Sequence, residues 1–208
     1  MNQKISIGIP TFNSEKTIVR TVQSLKEQSH KNWECIISDN NSSDRTIELV
    51  KQLITNDERF KLIINEENLG PNKNWNQLLY FSTNKYFLLL CSDDILYNNA
   101  LADLTNAITQ SENIVLSFGR RNIINSNYKL ILKYKVKSTF PTIINKDDCI
   151  KKILKSGGNP FSEPSFVLIN REKLIDAGGY SQKWRFPIDL DSYLKRNNRN
   201  RGSIFNAK

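Results

Sequence analysis

Hydrophobic and polar positions change period along the chain. Residues 5–9, Ile-Ser-Ile-Gly-Ile, alternate with period two and stop at Pro10, which predicts a strand. Residues 14–28 carry Ile18, Val22 and Leu25 at helical spacing. A second strand is predicted over 33–38. The polar turn Asp39-Asn40-Asn41-Ser42-Ser43-Asp44 follows, then a helix over 46–55 with Ile47, Val50 and Ile54 on one face. Residues 60–64 read as a third strand, and Asn68-Leu69-Gly70-Pro71 as a break. Residues 74–81 read as a helix with Trp75, Leu78 and Leu79 on its face, and 86–91 as a very apolar fourth strand.

Strand and helix thus alternate three times before the fourth strand. This implies an α/β fold with a mostly parallel twisted sheet, right-handed crossovers and helices on both faces. Ligands of such sheets bind beyond the carboxyl ends of the strands. The polar clusters at 11–15, 39–44 and 92–94 follow strands one, two and four and are expected to converge there. The second half is less regular. Helices are predicted over 101–108, 147–155, 171–177 and 189–196, and strands over 114–118 and 165–169, with weak alternation over 128–136. A loop is predicted over 156–160, and Gly178-Gly179 reads as a helix cap. With no internal repeat or low-complexity linker, 1–208 reads as a single domain.

Composition narrows the function. Apolar residues at 38% and charged residues at 25% suit a folded domain with a sizeable core. No apolar run approaches the ~20 residues of a membrane span, and the start has no stretch of signal-peptide length, so a cytoplasmic location is expected. Cys35, Cys91 and Cys149 lie far apart in no metal-ligand spacing and read as free, mostly buried thiols. With His30 as the single histidine, a Ser-His-Asp triad and a histidine-rich metal site are disfavoured. Lys and Arg number 30 against 21 acidic residues, a net charge of +9, which favours phosphorylated substrates, polyanions or an anionic membrane face. Six basic and no acidic residues fall within 117–138, and seven basic residues follow 182.

Several residues could carry chemistry. Asp93 and Asp94, after Ser92, are adjacent carboxylates behind an apolar strand. They either cap the following turn or hold a hard divalent ion, Mn²⁺ or Mg²⁺, together with substrate phosphates. Asp39 stands too early to cap the next helix, a task suited to Ser43 or Asp44, and at a strand end it can accept from a base or a ribose. Pro10-Thr11-Phe12-Asn13 contains no G-x-G-x-x-G, and the chain has no G-x-x-x-x-G-K-[ST], so standard dinucleotide and P-loop sites are disfavoured. Phe12 either stacks on a base or joins the core. Residues 68–74 either cap the third helix or bring Lys73 towards a phosphate. Asp189 and Asp191 either face a helix dipole or supply a general base.

Read in order, Ile7-Gly8-Ile9-Pro10-Thr11-Phe12-Asn13, Ser38-Asp39-Asn40-Asn41-Ser42-Ser43-Asp44, Asn68-Leu69-Gly70, Ser92-Asp93-Asp94, Glu163-Pro164-Ser165, Gly178-Gly179-Tyr180 and Asp189-Leu190-Asp191 resemble the family 2 glycosyltransferases of GT-A fold. The resemblance covers nearly the whole chain. It implies an inverting, metal-dependent transfer of a sugar from a nucleotide-diphosphate donor, UDP-sugar favoured, to an acceptor hydroxyl in bacterial surface polysaccharide biosynthesis. It implies a nucleotide-binding half over 1–95 and an acceptor-side half over 96–208, C-terminally short against members that continue further. Pro10, Thr11, Phe12, Asn13, Glu15, Asp39, Asn40, Gly70, Lys73, Ser92 and Asp93 are then expected at the nucleotide, with Asp39 reading the base. Asp94, with Asp93, is expected at Mn²⁺ or Mg²⁺, Asp189 as catalytic base, and Asn159, Glu163 and Asp191 near the acceptor or donor sugar. Two positions depart from the family pattern. Cys91 stands where an Asp is frequent, and Ile188 where a Glu usually precedes the base. Expected partners are the nucleotide-sugar donor, a saccharide or lipid-linked acceptor and, through the basic segments, the anionic inner membrane face; nucleic acid is not expected. The alternative is a catalytically impaired or truncated nucleotide-sugar-binding module.

Overall fold

Two layers of helices enclose a sheet whose central strands are buried on both faces. The computed structural model describes residues 3–133, 142–145, 148, 151, 155, 163–181 and 203–206. Strands β1 (Ile5–Thr11), β2 (Trp33–Asp39), β3 (Phe60–Ile64) and β4 (Tyr86–Leu89) alternate with helices α1 (Ile18–Lys26), α2 (Thr46–Ile54) and α3 (Pro71–Phe81). Then follow α4 (Ala100–Ile108), β5 (Ile114–Phe118), β6 (Asn122–Ile124), β7 (Leu130–Lys133), β8 (Thr142–Asn145), β9 (Val167–Asn170), α5 (Arg171–Asp176) and β10 (Ser203–Asn206). Eight strands form one sheet in the order β3-β2-β1-β4-β9-β5-β10-β8, while β6 and β7 pair as a separate ribbon. The pairs β3/β2, β2/β1, β1/β4 and β5/β10 are parallel. β9 runs antiparallel between β4 and β5, and β8 antiparallel to β10.

The period-two pattern splits each central strand between two cores. Ile5, Ile7 and Ile9 of β1 and Tyr86 and Leu88 of β4 pack with Ile18, Val22 and Leu25 of α1, Val50 of α2 and Leu101, Leu104 and Ile108 of α4. On the other face Phe87 and Leu89 pack with Leu78 and Leu79 of α3 and Leu174 of α5. Gly8 lies on this second face. A Cβ there would stand 2.9 Å from Leu78 Cβ and 2.9 Å from the Phe87 ring, so glycine permits the close approach of α3 to β1.

The elements predicted for the first half are all present, with shifted ends. α1 starts four residues later than its pattern, because Ser14 belongs to the preceding turn, where its N–H donates to Thr46 Oγ1 at 2.7 Å. It ends before Gln28, whose buried amide accepts from Leu101 N at 3.0 Å and so caps α4. α3 starts three residues earlier than predicted. Gly70 takes φ 78° and Pro71 occupies the first turn, so the Gly-Pro pair opens the helix as well as breaking the chain. The strand predicted from 165 begins at Val167, behind a 3-10 turn at Pro164–Phe166. β6, β8 and β10 carry no strong sequence pattern. Of the helix predicted over 147–155, Asp148, Lys151 and Lys155 are described and helical; the loop over 156–160 and the helix over 189–196 lie outside the described residues. Among the described residues no helix is long and apolar enough to cross a membrane. Cys35 is buried and free, and Cys91 is partly buried and free.

Gly8→Ala is expected to destabilise the fold by about 1–3 kcal/mol, because the new methyl meets the α3 and β4 side chains. Urea unfolding measures this, and an unchanged midpoint would show that α3 can move away at no cost.

Candidate functional site

Parallel register brings the carboxyl ends of β1, β2 and β4 to one edge. Thr11 pairs with Asp39, and Asn40 N–H continues the ladder to Thr11 O at 2.8 Å. A cleft of about 780 Å³ opens there, within the usual size of a small-ligand site. Its walls come from residues 10–17 after β1, from Asn40 and Asp44 after β2, from Asn68, Pro71, Asn74 and Trp75 around the start of α3, and from Cys91, Ser92 and Asp93 after β4. The three polar clusters at the strand ends therefore meet as predicted, and a fourth segment at the start of α3 joins them.

Side-chain bonds hold these loops. Asn13 takes φ 48°, its N–H donates to Ser42 Oγ at 2.9 Å, and its Oδ1 accepts from Ser43 N at 2.9 Å. Asp44 accepts from Glu15 N at 3.1 Å and from Thr46 N at 3.0 Å, so it joins the β1 loop to the start of α2. Against the cost of burial, the Thr46 hydroxyl and these backbone N–H groups hold its carboxyl below the usual range. Glu15 accepts from Arg45 N at 3.2 Å, and Ser14 and Ser92 share a hydroxyl contact of 2.9 Å across the cleft. Behind the wall, Asn74 Oδ1 accepts from Ser38 Oγ at 2.6 Å, and Asn40 Oδ1 accepts from Leu69 N at 2.9 Å. Phe12 is 48% exposed and lines the cleft, so it is not a core residue. Thr11 Oγ1 is buried without a hydrogen-bond partner in the wall of the cleft. Such a hydroxyl is costly unless a ligand or water completes it.

Three expected nucleotide residues, Asp39, Gly70 and Lys73, stand away from the cleft surface. Lys73 is exposed on the first turn of α3, and Gly70 shapes that turn; neither lines the cleft. Asp39 is wholly buried, with Oδ1 accepting from Ser42 N at 2.8 Å and Oδ2 from Ser42 Oγ at 2.6 Å. It ties the turn rather than capping α2, and Asn40 forms the adjacent cleft wall. Asn68, Asn74 and Trp75 line the cleft without having been singled out as site residues. The signal for Asn74 was available, since an asparagine within an otherwise apolar helix face needs a polar partner. Asn159, Asp189 and Asp191 lie outside the described residues.

Metal chemistry concentrates at one corner. Cys91, Asp93 and Asp94 bring a sulfur and two carboxylate oxygens within 4.8 Å of one another. Ser165 is buried beneath them, accepts from Cys91 N at 2.9 Å and donates to Asp94 Oδ2 at 2.5 Å. A hydroxyl has one proton to give, so this bond orients the carboxylate. Burial pushes the Asp94 carboxyl up to about 6; the Ser165 bond opposes the rise, Asp93 and Glu163 add to it, and Arg121 opposes it. Arg121 in turn pairs with Glu163, so Glu163 stands beside the cluster. Two hard carboxylates, one burdened by burial and like charge, fit a divalent cation of the Mg²⁺ or Mn²⁺ type. Burial and the Asp94 charge push the Cys91 thiol far up, and sulfur is the softer ligand beside two hard carboxylates.

Residues 6–178 match the family profile described as Glycosyl transferase family 2. A UDP-Glc:alpha-D-GlcNAc-diphosphoundecaprenol beta-1,3-glucosyltransferase of Escherichia coli is 32% identical over 166 residues, covering 77% of this chain and 64% of that protein. A GalNAc(5)-diNAcBac-PP-undecaprenol beta-1,3-glucosyltransferase of Campylobacter jejuni is 36% identical over 102 residues, covering 49% of this chain and 33% of its own. Among solved structures, S. aureus TarS 1–349 in complex with UDP-GlcNAc superposes with TM-score 0.75 at 22% identity, over 99% of this chain and 58% of that one. This likeness shows the fold, and the chain spans less than two thirds of each of these proteins.

The raised Asp94 value gives a sign. Between pH ~4 and about 6 the folded chain keeps a proton that the unfolded chain has released, so this group's contribution to stability falls as pH rises through that window. Asp94→Asn is expected to raise the melting temperature of metal-free protein at pH 7 by roughly 2–6 °C, with little change at pH 4. It is also expected to abolish Mn²⁺ binding by titration calorimetry. A lower melting temperature at pH 7 would mean that the carboxylate is favoured where it stands.

Proposed function

Since the chain belongs to glycosyl transferase family 2, we propose that it transfers a sugar from a UDP-sugar to a hydroxyl of a saccharide or lipid-linked acceptor in bacterial surface polysaccharide biosynthesis. The observation that carries this reading is the cleft at the carboxyl ends of β1, β2 and β4, with an unpartnered Thr11 hydroxyl in its wall and Asp93 and Asp94 at its corner. The relatives named for diphosphoundecaprenol acceptors support the lipid-linked class, and the location that follows is the cytoplasmic face of the inner membrane.

In this reading Phe12 stacks on the base and Thr11 forms the cleft wall beside the nucleoside. Asp39 accepts from the base once the Ser42 turn that covers it moves aside. Each of its oxygens receives one bond from Ser42, which leaves acceptor capacity. Asp94, oriented by Ser165, and Asp93 would hold Mn²⁺ or Mg²⁺. A divalent ion there neutralises charge developing on the departing diphosphate. Asp189 takes the acceptor proton while the acceptor oxygen bonds to the anomeric carbon and the bond from that carbon to the diphosphate oxygen breaks, with inversion. Asp191 cannot share that task on a common helix, since two residues turn the side chain by about 200°. Asn159 and Glu163 serve the sugar side.

Radiolabelled UDP-sugars with Mn²⁺ and an undecaprenyl-diphosphate saccharide test the reaction. Labelled lipid product is expected, whereas UDP binding without turnover would favour the binding-module alternative. Asp189→Asn is expected to lower transfer by roughly 10²-fold or more with UDP affinity intact. Loss of transfer in Asp191→Asn, with Asp189→Asn active, reverses the assignment. Asp39→Ala is expected to weaken UDP far more than pyrophosphate, and equal loss of both would make Asp39 purely structural.

A further inference from the structure

The ribbon of β6 and β7 breaks the pattern of every other strand pair. Ile123 pairs with Leu132 and Ile124 with Leu130, so successive cross-strand pairs place apolar side chains on both faces of an isolated two-stranded ribbon. A register shift between Ile123 and Ile124 sets Ile131 out of the pairing. Leu130, Ile131 and Leu132 are 55%, 64% and 46% exposed, and Tyr97, joined to the ribbon by Asn122 Nδ2 at 2.6 Å, is 65% exposed. A two-stranded ribbon is marginal in water, and of the three cross-strand pairs here only Asn122–Lys133 is polar. Its tip is nevertheless built. Asn125 Oδ1 accepts from Asn127 N at 3.0 Å and Lys129 N at 2.9 Å, and Tyr128 takes φ 61° beneath the Arg20 guanidinium, 3.4 Å from its ring centre.

Charge selects the partner. Residues 117–138 contain six basic and no acidic side chains; Lys129 at the tip and Arg20 beside it are exposed. Exposed apolar side chains beside the exposed cations Lys129 and Arg20 suit an anionic lipid surface, where the apolar part enters the acyl boundary and the cations meet headgroups. Position agrees with this partner. The ribbon leaves the carboxyl end of β5 through Arg121, whose partner Glu163 adjoins Asp94, and Arg20 belongs to the helix whose N-cap, Thr17, lines the cleft.

We propose that the β6–β7 ribbon is a wedge that enters the surface of an anionic bilayer and holds the cleft against it. This deepens the lipid-linked acceptor reading, on which its purpose rests. Insertion is shallow, because the outer edges of two strands cannot bury their unpaired backbone groups in hydrocarbon.

The test is sedimentation of the whole chain with phosphatidylglycerol-phosphatidylcholine vesicles, without substrates. Binding is expected, and the triple variant L130S/I131S/L132S is expected to lose about tenfold or more of it. Phe81→Ser, which removes an exposed apolar side chain at the far end of α3, should leave binding unchanged. Circular dichroism and melting check that the variants fold. Should the triple variant fail to fold, Ile131→Trp gives the answer: its fluorescence is expected to be quenched by brominated lipids. Vesicle binding untouched by the triple substitution, or an unquenched Trp, overturns the proposal. So does absence of vesicle binding with self-association that the substitutions abolish, which would assign the ribbon to a second copy of the chain. Transfer to a water-soluble acceptor, measured alongside, reports on the glycosyl-transfer reading independently.

Discussion

Burial of β1 and β4 on both faces constrains everything else in this molecule. A strand enclosed by two cores has no surface on which to carry a reactive group, so its polar residues are pushed to its ends. β1 spends Ile5, Ile7 and Ile9 on one core and gives the other face to Ser6 and Gly8, the latter leaving room for α3. Beyond Thr11, Asn40 and Leu90 the chain is released from that demand. The loops that follow are rich in Asn, Ser and Asp because they must satisfy backbone groups there without a ladder.

Those loops satisfy one another unequally. Around Asn40, Asn65, Asn68 and Asn74 amides meet amides or backbone groups, giving a stiff back wall. At the front a hydroxyl is left over on Thr11, and a carboxyl on Asp94 is raised towards neutrality. Stability alone would remove both. Their persistence at the same carboxyl edge of the sheet marks where the fold yields to a ligand.

The alternation of strand and helix was legible because each core-facing side chain recurs at a fixed period, and the cleft was legible because parallel strands share one ligand edge. Gly70-Pro71 was harder. The same pair stops one element and starts another, and only its φ tells which effect governs the next residue. The role of Ser165 was hidden for another reason: its partners Cys91 and Asp94 are more than 70 residues away, and no periodicity links them. Asp39 showed its address but not its bonds, since a turn-forming acid and a ligand-reading acid look alike in sequence. β6, β8 and β10 are short, and their pairing comes from tertiary context rather than from local pattern.

The placement of β9 bears on how such a protein can be divided. It lies between β4 and β5, antiparallel to both, so a late stretch of the chain is threaded into the middle of the sheet. The turn just ahead of it carries Ser165. A polypeptide ending near residue 95 would keep both aspartates and most of the cleft wall, yet it would present β4 as an open edge and leave Asp94 without its orienting hydroxyl. The two halves are therefore not interchangeable cassettes. Exchange of the second half between relatives replaces a piece of the first half's own floor, and such a graft disturbs the aspartate corner unless the Ser165 segment travels with the half it serves.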